Sequence, residues 1–130
     1  MICIDGNKEL HDSCRVFPDG RGSYDIAMEA AKHYAKHYLG TVKILNSKMT
    51  ISPDNLSYLT SAVKSLIDVG YESIHLNCTY EGPWDEKDAY SLYTSLKEIG
   101  DYLLQTGKYK TTKLSIFDPS CGAPKPEDDL

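Results

Sequence analysis

Long hydrophobic runs are missing from this chain. No apolar stretch approaches the ~18 residues that a membrane-spanning helix needs, and no signal-peptide pattern opens it. It therefore reads as cytoplasmic, with no membrane partner. Basic clusters are missing too. No run of Lys or Arg exceeds two residues, and 19 acidic against 14 basic side chains give a net charge of -5. That balance excludes a nucleic acid or an anionic membrane surface as the main partner. Cys3, Cys14, Cys78 and Cys121 show neither CxxC nor CxxxC spacing, so a cysteine-only metal site has no support. A cytosolic chain is not expected to pair them as disulfides. Cys3 and Cys78 read as small buried apolar residues. Phenylalanine is scarce, 2 residues against 10 tyrosines. Each tyrosine keeps a polar tip, so the core is expected to be partly wet or to adjoin a polar cavity. P-loop, GxGxxG and GxSxG fingerprints are all absent.

What is present is one domain's worth of chain, 130 residues, with regular alternation of strand and helix signals. Ile2–Ile4 reads as a strand ending in Asp5-Gly6, followed by a polar loop. Ser23 is placed to cap a helix to about Leu39, with Ala27, Ala30, Ala31, Tyr34, Ala35 and Tyr38 on its inner side. A second strand lies within residues 42–51. Ser52-Pro53-Asp54-Asn55 then starts a helix that buries Leu56, Leu59, Val63, Leu66 and Ile67 and stops at Gly70. Ser73–Tyr80 alternates: Ile74, Leu76 and Cys78 point one way, His75, Asn77 and Thr79 the other. Asp85 caps a third helix, whose inner side is Ala89, Leu92, Tyr93, Leu96, Ile99 and Leu103, and Leu114–Phe117 is a fourth strand. Residues 119–130, with three prolines and the acidic run Glu127-Asp128-Asp129, read as a linker or tail.

Each connection between strands exceeds a dozen residues and carries a helix, which requires parallel pairing with right-handed crossovers. The expected fold is α/β: about four parallel strands and three helices, half of a (β/α) barrel, over residues 1–118. The first strand begins at residue 2, and a strand buried on both faces needs neighbours, so the chain reads as a piece of something larger. The polar face of the third strand suits a ligand-holding interior.

In such sheets ligands gather where strands end. Asp5 and Glu81 both lie at strand ends, each equally readable as an ordinary turn or loop acid. Lys48 shares a strand face with Thr50; pointing inward it needs an acid or an anionic ligand, and at a frayed strand it sits in water. Arg15 is able to clamp a carboxylate or phosphate, or is simply solvated. His33 and His37, spaced i, i+4, lie on the charged face of their helix and read as solvated rather than metal-ligating. His11-Asp12 has no nucleophile placed beside it. If Asp5 and Glu81 face one another, an acid–base pair in another barrel family is a further reading.

Several motifs together resemble radical S-adenosylmethionine (SAM) enzymes of the branch carrying a SPASM-type extension. They are Cys3-Ile4-Asp5-Gly6, His11-Asp12, Arg15 and Gly20-Arg21-Gly22-Ser23-Tyr24-Asp25. Asn7–Asp12, Cys14–Gly20, Ser47–Ile51 and Leu76–Glu81 are similar to peptide maturases associated with CXXX-repeat precursors. The similarity covers about residues 2–118. It implies a partial (β/α)6, TIM-like barrel whose lumen holds a [4Fe-4S] cluster and SAM. The 5′-deoxyadenosyl radical made there abstracts hydrogen from a bound ribosomal peptide. It implies Cys3, Asp5 and Arg15 near SAM, and Lys48, Asn77 and Glu81 near the precursor peptide. Two departures stand out. The CxxxCxxC motif is absent together with the first three strands, and the SPASM cysteines are missing. The expectation is thus a half-barrel, inactive alone and binding neither cofactor by itself, completed by an N-terminal half-barrel outside this chain. The alternative is a stand-alone α/β binding module that dimerises through an open sheet edge.

Overall fold

Clean alternation makes Ser73–Cys78 the central strand of a three-stranded parallel sheet. The computed structural model describes residues 1–41 and 44–119. Strand β1 is Asn46–Ile51, β2 is Ser73–Cys78 and β3 is Lys113–Leu114, in the order β1-β2-β3. The helices are α1 (Lys8–Cys14), α2 (Tyr24–Tyr38), α3 (Leu59–Val69) and α4 (Glu86–Thr106). Ser47, Met49, Ile51, Ile74 and Leu76 face inward and are buried. They join one core with Ala62, Val63, Leu66 and Ile67 of α3, Ile99 and Leu103 of α4, and Met28 and Ala31 of α2. The opposite sheet face carries Lys48, Thr50, His75 and Asn77, all exposed. The architecture is therefore mixed α/β, with one sheet face packed and one open.

Local chemistry explains the element ends. Asn7 caps α1 by accepting from Leu10 N at 2.9 Å, and Asp85 caps α4 by accepting from Asp88 N at 2.8 Å. Pro53–Tyr58 is a 3-10 turn feeding α3. Gly70 closes α3 at φ 105°, a left-handed conformation that favours glycine, with its N–H reaching the Leu66 and Ile67 carbonyls.

Four expectations need correction. Ile2–Ile4 runs beside β1 without forming a strand. Ile2 N donates to Asn46 O at 3.2 Å, but Ile4 N donates to the Ser47 hydroxyl at 3.2 Å, and the Ile2 carbonyl accepts from the Tyr71 hydroxyl at 2.7 Å. Side chains have taken the groups a ladder would use. The fourth strand is cut to two residues because Ser115 offers its hydroxyl to Leu76 N at 2.9 Å and the chain turns into a 3-10 helix, Ser115–Phe117. The sheet thus has three strands rather than four. A fourth helix, α1, stands where a polar loop was expected. On α2, Ala31 is buried and Ala27, Tyr34 and Ala35 pack against the core as expected, but Ala30 and Tyr38 are exposed and Met28 takes an interior position beside Ala31. The expected tail lies, apart from Pro119, outside the described residues, as does Cys121.

Of the described tyrosines, Tyr71 alone is fully buried. Burial pushes its hydroxyl well above the ordinary phenol range, so it remains a donor to Ile2. Tyr71→Phe strands a carbonyl and is expected to cost about 1–3 kcal/mol, read as a lowered urea midpoint with an unchanged slope.

Candidate functional site

The residues flagged in the sequence fall in two places. The first surrounds the loop after Ile4, where Gly6 is buried and adopts φ 104°. This turn sends the chain from the edge of β1 into α1 and brings Arg15 back against Asp5. Their side chains form an ion pair, Arg15 Nε to Asp5 Oδ2, with the carboxylate end 19% exposed. The bond to Asp5 holds the guanidinium above its usual range.

His11, on α1, is buried and completes a circuit. Asp5 N donates to His11 Nδ1 at 3.1 Å. With Nδ1 accepting, the ring proton sits on Nε2, which donates to Ser23 Oγ at 3.0 Å. Ser23 then donates to the Arg15 carbonyl at 2.8 Å. Asp5, His11, Ser23 and Arg15 thus close a ring of hydrogen bonds that ties the first segment to α1 and α2. Burial, with Arg15 assisting, lowers the His11 pKa, while Asp5 and Asp12 pull against it. A neutral imidazole is what this ring requires.

Asp12 sits beside the circuit. Ser23 is committed to Arg15 and does not cap α2. Asp12 Oδ1 does so instead, accepting from Tyr24 N at 2.8 Å. Gly22 makes this possible, since a Cβ there would meet the Asp12 carboxylate at 2.2 Å. Sequence reasoning noted His11, Gly22 and Ser23 as parts of motifs but did not connect them to Asp5 and Arg15, because their partners lie on other elements. The one available signal was a His-Asp pair ahead of a glycine-flanked turn.

The second place is the open sheet face. The register sets Lys48 opposite His75 and Thr50 opposite Asn77. Glu81 lies beyond β2 in an exposed turn, after the fully exposed Tyr80. The structure thus unites Asp5 with Arg15 and aligns Lys48 with Asn77's strand, while Glu81 stands apart from the sheet surface. As for an acid–base pair, the Asp5 carboxylate is taken up by Arg15, whereas Glu81 lies in the exposed turn beyond β2. Cys3 and Cys78 are half-buried and Cys14 exposed; burial pushes the Cys78 thiol up, so it is no ready nucleophile. A groove of about 1030 Å³ between α2 and α3, lined by Tyr24, Met28, Lys64 and Asp68, contains none of the flagged residues.

No protein-family model matches the chain, and no curated protein matches it. Among the described residues no group of three or more His, Cys, Asp or Glu is placed to hold a metal ion. No helix among them is long and apolar enough to cross a membrane.

Proposed function

We propose that this chain is the second half of a radical SAM barrel from a peptide maturase, supplying one wall of its substrate space. The observation that carries the reading is the two-sidedness of the sheet. Parallel strands joined through helices have their apolar face packed and their polar face bare, as an arc of a barrel would. The Ile2–Ile4 segment running beside β1 marks the side on which the preceding strands would join. Asp5 and Arg15 would flank SAM, with Cys3 beside them, and Lys48, Asn77 and Glu81 would meet the precursor peptide. The thiolates for the cluster would belong to the other half.

Two measurements test this. Reconstitution of this chain with iron and sulfide under anaerobic conditions is expected to give no [4Fe-4S] absorbance; one cluster per chain would overturn the reading. Sequencing the DNA upstream in frame is expected to reveal a CxxxCxxC motif, and a stop codon directly ahead of Met1 argues the other way. The single continuous core favours a second reading, a stand-alone binding module that closes its sheet by dimerising. Sedimentation decides: a stable folded dimer supports the module, and aggregation supports the half-barrel.

A further inference from the structure

The open face differs from the rest of the molecule in charge. β1 reads Asn-Ser-Lys-Met-Thr-Ile, β2 Ser-Ile-His-Leu-Asn-Cys and β3 Lys-Leu, without a single carboxylate. Yet acidic side chains outnumber basic ones 19 to 14 over the chain. Ser73 pairs with Lys113 and Lys48 with His75, so two lysines and an imidazole share this face. All three are exposed, and none of the ion pairs among the described residues involves Lys48 or Lys113. At strand spacings of about 4.8 Å and rises of about 3.3 Å, the Cα atoms of Lys48 and Lys113 lie roughly 12 Å apart. An extended peptide covers that distance in about four residues.

We infer that this face is a docking strip for an acidic peptide segment, bound extended, with carboxylates about four residues apart meeting Lys48 and Lys113. Ser73 and His75 lie between the two lysines, and Thr50 and Asn77 extend the strip beyond Lys48 with further hydrogen-bonding groups. Charge complementarity selects the occupant. A nucleic acid would feel the net charge of -5 over its whole length, and the strip has no Phe, Tyr or Trp for a base to stack on. A short peptide with two acids meets only the local cations. The inference rests on the maturase reading for its biological setting and narrows that reading to acidic substrate segments.

The test is an amide-shift titration of the isotope-labelled chain with a capped hexapeptide bearing two glutamates four positions apart. Shifts are expected at Lys48, Thr50, His75, Asn77 and Lys113, weakening as salt is raised. The same peptide with glutamines should leave those amides in place. The double variant Lys48→Gln/Lys113→Gln, at two exposed positions, should bind about five- to thirty-fold more weakly. Equal binding of the glutamate and glutamine peptides overturns the inference whether or not the variant folds. So do shifts confined to other elements, or inorganic phosphate acting as strongly as the peptide. The two readings fail separately: a bound peptide without an upstream CxxxCxxC sinks the maturase and keeps the strip, and the converse sinks only the strip.

Discussion

Gly6→Val should cost about 3–5 kcal/mol of folding stability, a large part of what a domain of this size possesses. Two effects add. At φ 104° a side chain is strained whatever the space, about 1–3 kcal/mol, and more so for a β-branched one. The new Cβ would also meet Ala62 Cβ at 3.0 Å and Leu10 Cδ2 at 3.1 Å, and overpacking of this kind costs about 1–3 kcal/mol. Ala62 is in the core and cannot retreat. Gly20 supplies the control. It has φ 83°, but a Cβ there meets nothing within 4 Å. Gly20→Val carries the backbone strain alone and should cost about 1–3 kcal/mol. Urea denaturation of both variants separates conformation from crowding. Similar losses at the two sites would show that packing against α3 contributes nothing.

His11→Leu should destabilise by about 1–3 kcal/mol, because Asp5 N loses its acceptor and the Ser23 hydroxyl loses a donor in a partly buried place. The same histidine gives the protein a pH dependence of known sign. Its folded-state pKa is lowered by burial, so below the ordinary imidazole value near 6.5 the unfolded chain accepts a proton that the folded chain refuses. The unfolded state then binds more protons, and stability rises with pH through that window. Its contribution is fully present above about pH 7 and declines as pH falls towards the folded-state pKa. Protonation would turn Nδ1 from acceptor to donor, facing the Asp5 N–H it now receives. Denaturation midpoints measured from pH 7.5 to pH 5 should fall, and the difference between parent and His11→Leu isolates this group. A difference curve that stays flat would mean the imidazole titrates normally in the fold.

The contrast between the two ends of the chain shows what local pattern conveys. Leu56, Leu59, Val63, Leu66 and Ile67 lie at helical spacing between a proline start and a glycine stop, and all are buried. The alternation in β2, with Ile74 and Leu76 inside and His75 and Asn77 outside, was likewise plain. In both, the period and the punctuation agree. The first 25 residues were harder because their structure is decided by tertiary partners. Ile2–Ile4 has strand composition, but Ser47 and Tyr71 capture its polar groups from 43 and 69 positions away. Helix α1 has only seven residues, too few for periodicity to speak. Ser23 fits an N-cap, yet Asp12 holds that role across 12 residues. The Asp5–Arg15 pair was foreseeable as two reactive side chains in one loop region. The ring through His11 was not, since it exists only once the loop has folded.

Two serines interrupt backbone pairing around the sheet. Beside β1, Ser47 answers Ile4 N with a hydroxyl, and where β3 ends Ser115 answers Leu76 N of β2 the same way. A peptide group that receives an N–H presents its own N–H to the next chain. A hydroxyl has no such repeat to pass on. Cross-β stacking relies on continuous rows of backbone partners; at Ile4 and at Leu76 an alcohol stands in such a row instead.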